Sequence, residues 1–560
     1  MMQDFRKGLL TRREFVGTAG RVALAGSGLS IAQYGVSSEA QQEAVSDLAQ
    51  QSEGKGLPMS SSRAKQRPNI LIVYVDQHRA DCLGAYGNPE VRTSHIDTLA
   101  ADGVRFENSF CPFPVCTPSR YSFLSGLCVH EHRGCTNHCT LPPGTETFPA
   151  LLKEAGYKTA AVGKMHFTPT YLDVGFERMV LAEQDGPGRW DDDYHRELRS
   201  YGLVDVNDLE DQRSEYREKA RPEYWKTFGA LPTNLPREWH STEWIADRAL
   251  EFLEGWGPEG NLLMVGFIKP HHPFDPPQEL CEAYDPDKTA LLPGWIPQCL
   301  PHDLELHQGY FPHEALTEQA LRRVTAYYYA TIHHIDLQVG RMVEVLKRKG
   351  LYEHTLVVYT ADHGEYMGFH HMLLKGNHMY DPLVRVPLIV KYPLGQQKGA
   401  VSQALVSSVD LAPTILKQAG RRSGKDMHGI DIARDLEGRR VVFAESGRGG
   451  ELMARTRKWK LLVCRDKDRT FFYDLEKDPL EMTNLYSNSA YEQDIAVLAE
   501  ALDEWGGSIQ ASKPYLDEDA PVIPQPNVPA RDDDHRETMI AYCQDMMQKE
   551  RAARAGPTIP

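Results

Sequence analysis

Residues 69–77 read Asn69-Ile-Leu-Ile-Val-Tyr-Val-Asp76-Gln77, and this stretch decides the fold class. Its apolar run is short, almost unbroken and rich in β-branched side chains, which is typical of a strand buried on both faces of a parallel sheet. The run ends on two polar residues, where the chain must leave the sheet. The stretch therefore predicts a central strand that carries polar groups at its carboxyl end.

Similar apolar runs alternate with amphipathic segments over the next 350 residues. The pattern predicts further strands at 104–110, 157–162, 262–268, 355–360 and 387–391. It predicts helices at 94–101, 120–126, 147–155, 241–254, 318–349 and 410–419. Such alternation indicates an α/β fold, with a large, mostly parallel mixed sheet flanked by helices.

Two regions depart from this alternation. Residues 177–240 are charged and dotted with aromatic side chains, and they either line a substrate cleft or form a solvated surface insertion. After residue 438, short strands at 441–444, 459–463 and 470–473 predict a small antiparallel sheet. We therefore expect a catalytic domain over 68–438, and a C-terminal subdomain and tail over 439–560.

The N-terminus has the pattern of an export signal. Arg12 and Arg13 precede a weakly apolar run at 22–31, and Ser38-Glu39-Ala40 offers a cleavage site. This pattern predicts a twin-arginine signal peptide over 1–40, a polar linker over 41–67 and a periplasmic location. The twin-arginine translocase is then an expected partner. The alternative is a disordered basic start.

Composition narrows the function classes. The chain has 560 residues, is 41% hydrophobic and carries a formal net charge of −16. The negative charge argues against a general nucleic-acid binder. The sequence has no apolar run of about 20 residues, so we do not expect an integral membrane protein.

Ten cysteines are too few for a disulfide-built fold of this length. A local group matches no common zinc spacing, so we expect a local disulfide or loop packing there. That group consists of Cys128, His130, His132, Cys135, His138 and Cys139. Cys464 and Cys543 are expected to be ordinary cysteines.

Reactive side chains follow the predicted strands, where open α/β sheets collect their ligands. These are Asp76, Lys164, His271 and the pair Asp362-His363. Asp76 and Asp362 are hard oxygen ligands suited to a divalent cation, with Gln77 and His363 able to complete its coordination. Each aspartate taken alone also fits a helix cap or a turn.

Cys116 precedes a predicted helix, and Arg120 lies one turn further along. A helix N-terminus and a guanidinium both favour an anion. Three interpretations are open for Cys116: a thiolate nucleophile, a chemically modified residue and a buried structural cysteine. The three residues between Cys116 and Arg120 fit poorly with the five of thiol-based phosphatases.

The sequence Cys116-x-Pro118-x-Arg120 resembles the signature of the type I sulfatases, within the alkaline phosphatase superfamily. The resemblance extends from about residue 68 to 485 and includes several further motifs in the family's order. These are Asn69 to Gln77, Gly163-Lys164-x-His166, Pro270-His271-x-Pro273, Asp362-His363-Gly364-Glu365, Lys375, Arg385 to Ile389 and Tyr473-Asp474-Leu475.

The resemblance implies an alkaline phosphatase-like fold and a sulfuric ester hydrolase. It also implies that a formylglycine-generating enzyme oxidises Cys116 to formylglycine, which attacks sulfur with help from Arg120. The implied metal ligands are Asp76, Gln77, Asp362 and His363, together with the modified residue 116. Lys164 and His166 would contact that residue, His271 and Lys375 would hold the sulfate or protonate the leaving oxygen, and Asn137 would contact substrate.

Gln77 and His363 depart from the Asp and Asn of many sulfatases. This makes the chain look more like the choline sulfatase and phosphonate monoester hydrolase branch. Calcium is the expected cation, with manganese as the alternative. The expected substrate is a sulfated small molecule or glycan. A phosphonate monoester or phosphodiester is the alternative substrate, and an inactive binding protein is the alternative from another class.

Overall fold

The computed structural model of the protein describes residues 67–306, 311–376, 378–434, 437–447, 450–465, 468–506, 513–517, 519–524 and 533–555. The export signal predicted over 1–40 lies outside the described residues, as does the linker up to residue 66. Among the helices of the described part, none has both the length and the apolar character needed to cross a bilayer.

Eight strands form one large mixed sheet in the order β4-β3-β5-β1-β6-β7-β2-β8. β7 runs antiparallel to both of its neighbours, and the other described pairings in this sheet are parallel. The strands are β1 Asn69–Asp76, β2 Val104–Phe110, β3 Lys158–Gly163, β4 Arg178–Leu181, β5 Asn261–Pro270, β6 Thr355–Ala361, β7 Leu388–Lys391 and β8 Ala400–Ser407. This sheet, with helices packed against it, confirms the predicted α/β class.

The position of β1 explains why its sequence is continuously apolar. All eight of its residues are buried, and it lies between β5 and β6 near the middle of the sheet. Its odd residues belong to one apolar core and its even residues to another, so each face of the strand is covered.

The helices alternate with these strands. The described α-helices up to residue 306 are Ser94–Asp102, Cys116–Ser125, Val129–His132, Phe148–Glu154, Gly188–Asp191, Asp193–Ser200, Val206–Gln212, Ser214–Arg217, Pro222–Lys226, Ser241–Glu254, Gln278–Cys281 and Pro301–Leu306. Those after it are Glu318–Arg348, Asp381–Val384, Leu411–Gln418, Glu492–Gly506 and Asp533–Ala555.

The longest helix, Glu318–Arg348, shows how the local sequence fixes an element. The side chain of Thr317 caps it by accepting a hydrogen bond from the backbone N–H of Ala320, and Lys347 and Arg348 lie in its last turn. An N-cap hydroxyl and C-terminal cations both stabilise a helix.

A second sheet contains four antiparallel strands in the order β12-β11-β10-β9. They are β9 Val442–Ser446, β10 Glu451–Arg455, β11 Trp459–Cys464 and β12 Arg469–Asp474. The helix Glu492–Gly506 packs on one face of this sheet. The small antiparallel sheet was therefore predicted correctly.

Residues 177–240 are not a solvated insertion. They begin with β4 at the sheet edge, and the following short helices contribute Tyr194, Leu198 and Tyr224 to the main core. The terminal helix Asp533–Ala555 packs onto this same region, where Met539 joins Trp190 in a separate apolar cluster. Burial of large side chains ties this region into the fold despite its polar sequence.

Candidate active site

Asp76 and Asp362 meet because their strands are parallel neighbours. Asp76 ends β1 and Asp362 follows β6, and both side chains are fully buried. Arg120 bridges them: its Nε donates to Oδ2 of Asp362 at 2.9 Å, and its Nη2 to Oδ2 of Asp76 at 3.3 Å. The guanidinium thus fixes the spacing of two carboxylates that would otherwise repel each other.

The electrostatic balance differs between these two carboxylates. Burial opposes ionisation of Asp76, but the surrounding cations outweigh it and hold its pKa below the usual range. Burial, reinforced by the charge of Asp76, raises the pKa of Asp362. Two buried carboxylates at one site share their ionisation in this way, and a cation between them would relieve the repulsion.

Lys164 enters the site from the end of β3. Gly163 has φ of +85°, and a Cβ there would lie 2.2 Å from the carbonyl oxygen of Gly266, so glycine is required for the close strand contact. Lys164 follows, with Nζ 2.6 Å from Oδ2 of Asp76. His166 adopts φ of +56°, and Glu183 accepts its backbone N–H at 2.9 Å. Both ring nitrogens of His166 are buried and lack a hydrogen-bond partner.

Cys116 begins the helix Cys116–Ser125 and lies at the centre of this group. Its Sγ is 3.6 Å from Oδ1 of Asp76, 3.4 Å from Nε2 of His363 and 3.0 Å from Nζ of Lys375. Burial raises the pKa of the thiol, but the positive charges of Lys375 and Lys164 outweigh it, so the pKa is well below the usual value. Position 116 therefore favours a negatively charged group.

Lys375 and His271 face Cys116 from the other side. Nζ of Lys375 lies 3.0 Å from Nε2 of His271, and Nδ1 of His271 lies 2.7 Å from the carbonyl oxygen of His272. A carbonyl can only accept, so Nδ1 carries the proton and Nε2 accepts from Lys375. Burial lowers the pKa of His271, and the adjacent Lys375 lowers it further. Lys375 is therefore the proton-bearing member of the pair.

The donor atoms around Asp76 fit a divalent cation. Ligand atoms of Asp76, Cys116, Asp362 and His363 all lie within 4.8 Å of one another. Nδ1 of His363 lies 2.9 Å from the carbonyl oxygen of Gly364, so Nε2 presents its lone pair to the site, as metal-bound histidines do.

Gln77 supplies a further observation that fits a cation. Its Nε2 donates to Glu365, while its Oε1 is buried and has no hydrogen-bond partner. A buried acceptor without a donor is unfavourable unless a bound cation or another ligand interacts with it. Two carboxylates, an amide oxygen and an imidazole suit calcium or manganese.

The structure brings most of the predicted site residues together around Cys116, and Asn137 lies next to them. Oδ1 of Asn137 accepts the backbone N–H of Thr117 at 3.2 Å, so this side chain also holds the first turn after Cys116. His370 and His371, which precede Lys375 in the sequence, lie within hydrogen-bond distance of backbone carbonyls of Leu480, Ile296 and His313.

Sequence reasoning missed the residues that support the centre. Gln184 lies 3.2 Å from Nζ of Lys164 through its Oε1, and its Nε2 donates to Asp208 at 2.7 Å. Glu183 fixes the His166 backbone and Glu365 holds Gln77. Glu183 and Gln184 lie in the stretch without periodicity, where the one available signal was polar sequence directly after β4.

Paired buried carboxylates and neighbouring cations at the strand ends of a large mixed α/β sheet suit a hydrolase that acts on an anionic ester. The family model described as "Sulfatase" matches residues 68–421, so the chain belongs to the sulfatase family and is a sulfuric ester hydrolase.

Individual relatives agree with this assignment. An arylsulfatase of Clostridium perfringens is 29% identical, over 78% of this chain and 94% of its own length. An N-acetylglucosamine-6-O-sulfatase of Bacteroides thetaiotaomicron is 27% identical, over 81% of this chain and 88% of its own. The phosphonate monoester hydrolase of Agrobacterium radiobacter shares the fold, with a TM-score of 0.66 and 23% identity over 82% of this chain and all of its own.

Proposed function

We propose that the chain is an exported sulfatase that uses a formylglycine made from Cys116 and a divalent cation held by Asp76, Gln77, Asp362 and His363. The position of Cys116 carries this proposal. Its Sγ lies between the cation ligands on one side and Nζ of Lys375, at 3.0 Å, on the other. A nucleophile at this position would face a sulfate whose oxygens contact the cation and Lys375.

When present, the formylglycine supplies an oxygen nucleophile, and the cation neutralises charge on the attacked sulfate. The chain's own residues do the remaining work. Arg120 and Lys164 hold the two carboxylates in place. Lys375 carries protons directed at position 116 and at Nε2 of His271, so it can bind sulfate oxygens and protonate the departing oxygen.

The experiment begins with coexpression of the chain and a formylglycine-generating enzyme. Mass spectrometry of the peptide that contains Cys116 should show loss of the thiol and gain of the aldehyde. The modified protein should hydrolyse an aryl sulfate, and a chelator should abolish this activity. An active enzyme whose peptide contains an unmodified thiol would refute the proposal.

Phosphonate monoester or phosphodiester hydrolysis by the same site is the second candidate. Its support is the donor set, since Gln77 and His363 leave two aspartates at the cation. A sulfate ester, a phosphonate monoester and a phosphodiester each carry one negative charge at neutral pH, so a site with this donor set could accept any of the three. Competing rate measurements on aryl sulfate and phenylphosphonate ester, with one preparation of modified protein, separate the two. A large preference for the phosphorus ester would favour the second candidate.

For the substrate class and location, we propose a sulfated carbohydrate in the periplasm. The relative named N-acetylglucosamine-6-O-sulfatase supports the first part, and Arg12-Arg13 before the apolar run supports the second. Conversion of Cys116 would then precede export by the twin-arginine translocase. Replacing both arginines by lysine should retain the activity in the cytoplasm. Unchanged periplasmic activity in that variant would argue against this route.

A further inference from the structure

A second group of metal-ligating side chains lies where the small sheet meets the large domain. Glu451 begins β10 and Cys464 ends β11, and the two residues are directly paired across these antiparallel strands. Their side chains therefore lie on the same face of the sheet. Met453 and Leu462, which share that face, belong to the apolar core together with Cys464 and residues of the large domain.

His378 approaches this pair from the loop that follows Lys375. It is fully buried, and its Nδ1 lies 2.8 Å from Oε1 of Glu451. Sγ of Cys464 lies 3.1 Å from the same oxygen. The ligand atoms of the three residues lie within 4.8 Å of one another, and all three side chains are buried.

The contact between His378 and Glu451 is short, but it is not a hydrogen bond. Neither ring nitrogen of His378 has a hydrogen-bond partner, so Oε1 of Glu451 lies off the direction of a ring N–H. Among the described residues, the only ion pair of Glu451 is the one with His378. Glu451 accepts hydrogen bonds from Cys464 and Ser446, but the buried ring nitrogens of His378 have no hydrogen-bond partner. Such a burial is unfavourable unless a cation is bound between the imidazole and the carboxylate.

We propose that His378, Glu451 and Cys464 bind one zinc ion, with a water molecule as the fourth ligand. A thiolate, an imidazole and a carboxylate are the ligands that zinc prefers. Tetrahedral zinc with bonds of about 2.0 to 2.3 Å places its ligand atoms about 3.5 Å apart. The separations of 2.8 and 3.1 Å from Oε1 of Glu451 would need to widen slightly to reach this spacing. On binding, Cys464 releases its thiol proton to solvent and becomes the thiolate ligand.

This site differs from the active centre in both chemistry and position. The active centre offers oxygen and imidazole ligands at the ends of β1 and β6, whereas this site offers sulfur on the small sheet. The zinc ion would join β10 and β11 to the segment that begins three residues after Lys375. It would therefore fasten the small sheet to the loop that carries a catalytic side chain.

Cobalt substitution of the full-length protein tests the site directly. In a Cys116→Ala background, the chelated protein reloaded with Co²⁺ alone should show a thiolate-to-cobalt charge-transfer band. Cys464→Ser should reduce this band to under about a tenth, because the sulfur ligand is lost. Cys543→Ser, at another buried cysteine, should leave it unchanged.

Zinc content and thermal stability give an independent readout. The parent protein reloaded with Zn²⁺ should hold about one zinc per chain that survives Asp362→Asn but not Cys464→Ser or Glu451→Gln. Zinc should raise the Tm of the parent and not that of Glu451→Gln, whose fold is checked by circular dichroism. A parent protein that holds no more zinc than Cys464→Ser, or a cobalt band that persists in Cys464→Ser, would overturn the proposal.

Discussion

Two clusters of buried charge lie side by side in this molecule. One surrounds Cys116 at the strand ends, and the other joins the 177–240 region to the loop after β5. In the second cluster each carboxylate is matched: Asp211 with His272, Asp208 with Arg189, and Asp275 with Lys269 at 2.5 Å. In the first cluster two carboxylates, Asp76 and Asp362, lie in one group of metal-ligating side chains with His363 and residue 116. Atoms without a hydrogen-bond partner occur in both clusters, at Gln77 and His166 in the first and at Arg189 and Asp275 in the second.

This difference separates a binding site from a scaffold. Both clusters have buried carboxylates and nearby cations, so charge content alone does not distinguish them. In the first, Asp76 and Asp362 lie together in a group of metal-ligating side chains, whereas in the second each of the three carboxylates has its own basic partner. Substitutions in the first cluster should therefore abolish activity and change stability little. Substitutions in the second cluster should lower stability and leave most of the activity.

Replacing Cys116 tests the comparison with the largest effect. Cys116→Ala should reduce sulfatase activity by about 10⁴-fold or more, because no other side chain can supply the nucleophile. The Tm should change little, since an alanine fits the space. Activity is measured on an aryl sulfate after coexpression with the maturation enzyme. Substantial activity in this variant would show that residue 116 does not supply the nucleophile.

Removing a cation ligand should come next. Asp362→Asn should lower kcat/KM by about 10³-fold and reduce the bound divalent cation measured by elemental analysis. Asp208→Asn is the matched control in the second cluster and should retain the cation. Equal cation loss in both variants would contradict the proposal that only the first cluster binds the cation.

His271 and His272 are adjacent in the chain, but His271 belongs to the first cluster and His272 to the second. Their rings lie 4.2 Å apart, but His271 contacts Lys375 and His272 contacts Asp211. His271→Gln should reduce kcat by about 10²-fold. His272→Gln should reduce it by less than about tenfold, because the backbone carbonyl of residue 272 still orients His271. A larger loss in His272→Gln than in His271→Gln would contradict this division between the clusters.

Much of the first cluster was predictable from sequence, because its residues follow strands that are parallel in the sheet. Asp76 and Asp362 follow buried apolar runs, and the carboxyl ends of parallel strands meet at one edge of a sheet. The second cluster was not predictable in the same way. Gln184 and Asp208 follow no periodic pattern, so sequence shows their polarity and not the partners that bury them.

Short or half-exposed strands were missed for a related reason. β8 has an exposed first half and a buried second half, and β4 is four residues long, so neither produces a clear alternation. Residues His378, Glu451 and Cys464 come from three separate segments. Cys464 was therefore taken as ordinary, because its neighbours become visible only when β10 and β11 pair.

The smallest predicted effect concerns the second cluster and is one of stability. Burial raises the pKa of Asp211, but the contacts with His272 and Tyr224 outweigh it, and the pKa is lowered. An acid with a lowered pKa stabilises the fold above its unfolded pKa of about 4, and the stabilisation is lost as pH falls below that value. Asp211→Asn should therefore lower the free energy of unfolding by about 2 kcal/mol at pH 7.

Urea unfolding at pH 7 and near pH 3 measures this effect. The difference between the parent and Asp211→Asn should shrink at the lower pH, because the carboxyl of the unfolded parent is protonated there and part of the stabilisation is lost. Asp285→Asn removes a solvent-exposed ion pair with Lys288 and should change stability little at either pH. If Asp211→Asn instead kept full stability and lost sulfatase activity, the second cluster would take part in the chemistry, and its ion pairs would be a state that substrate binding rearranges.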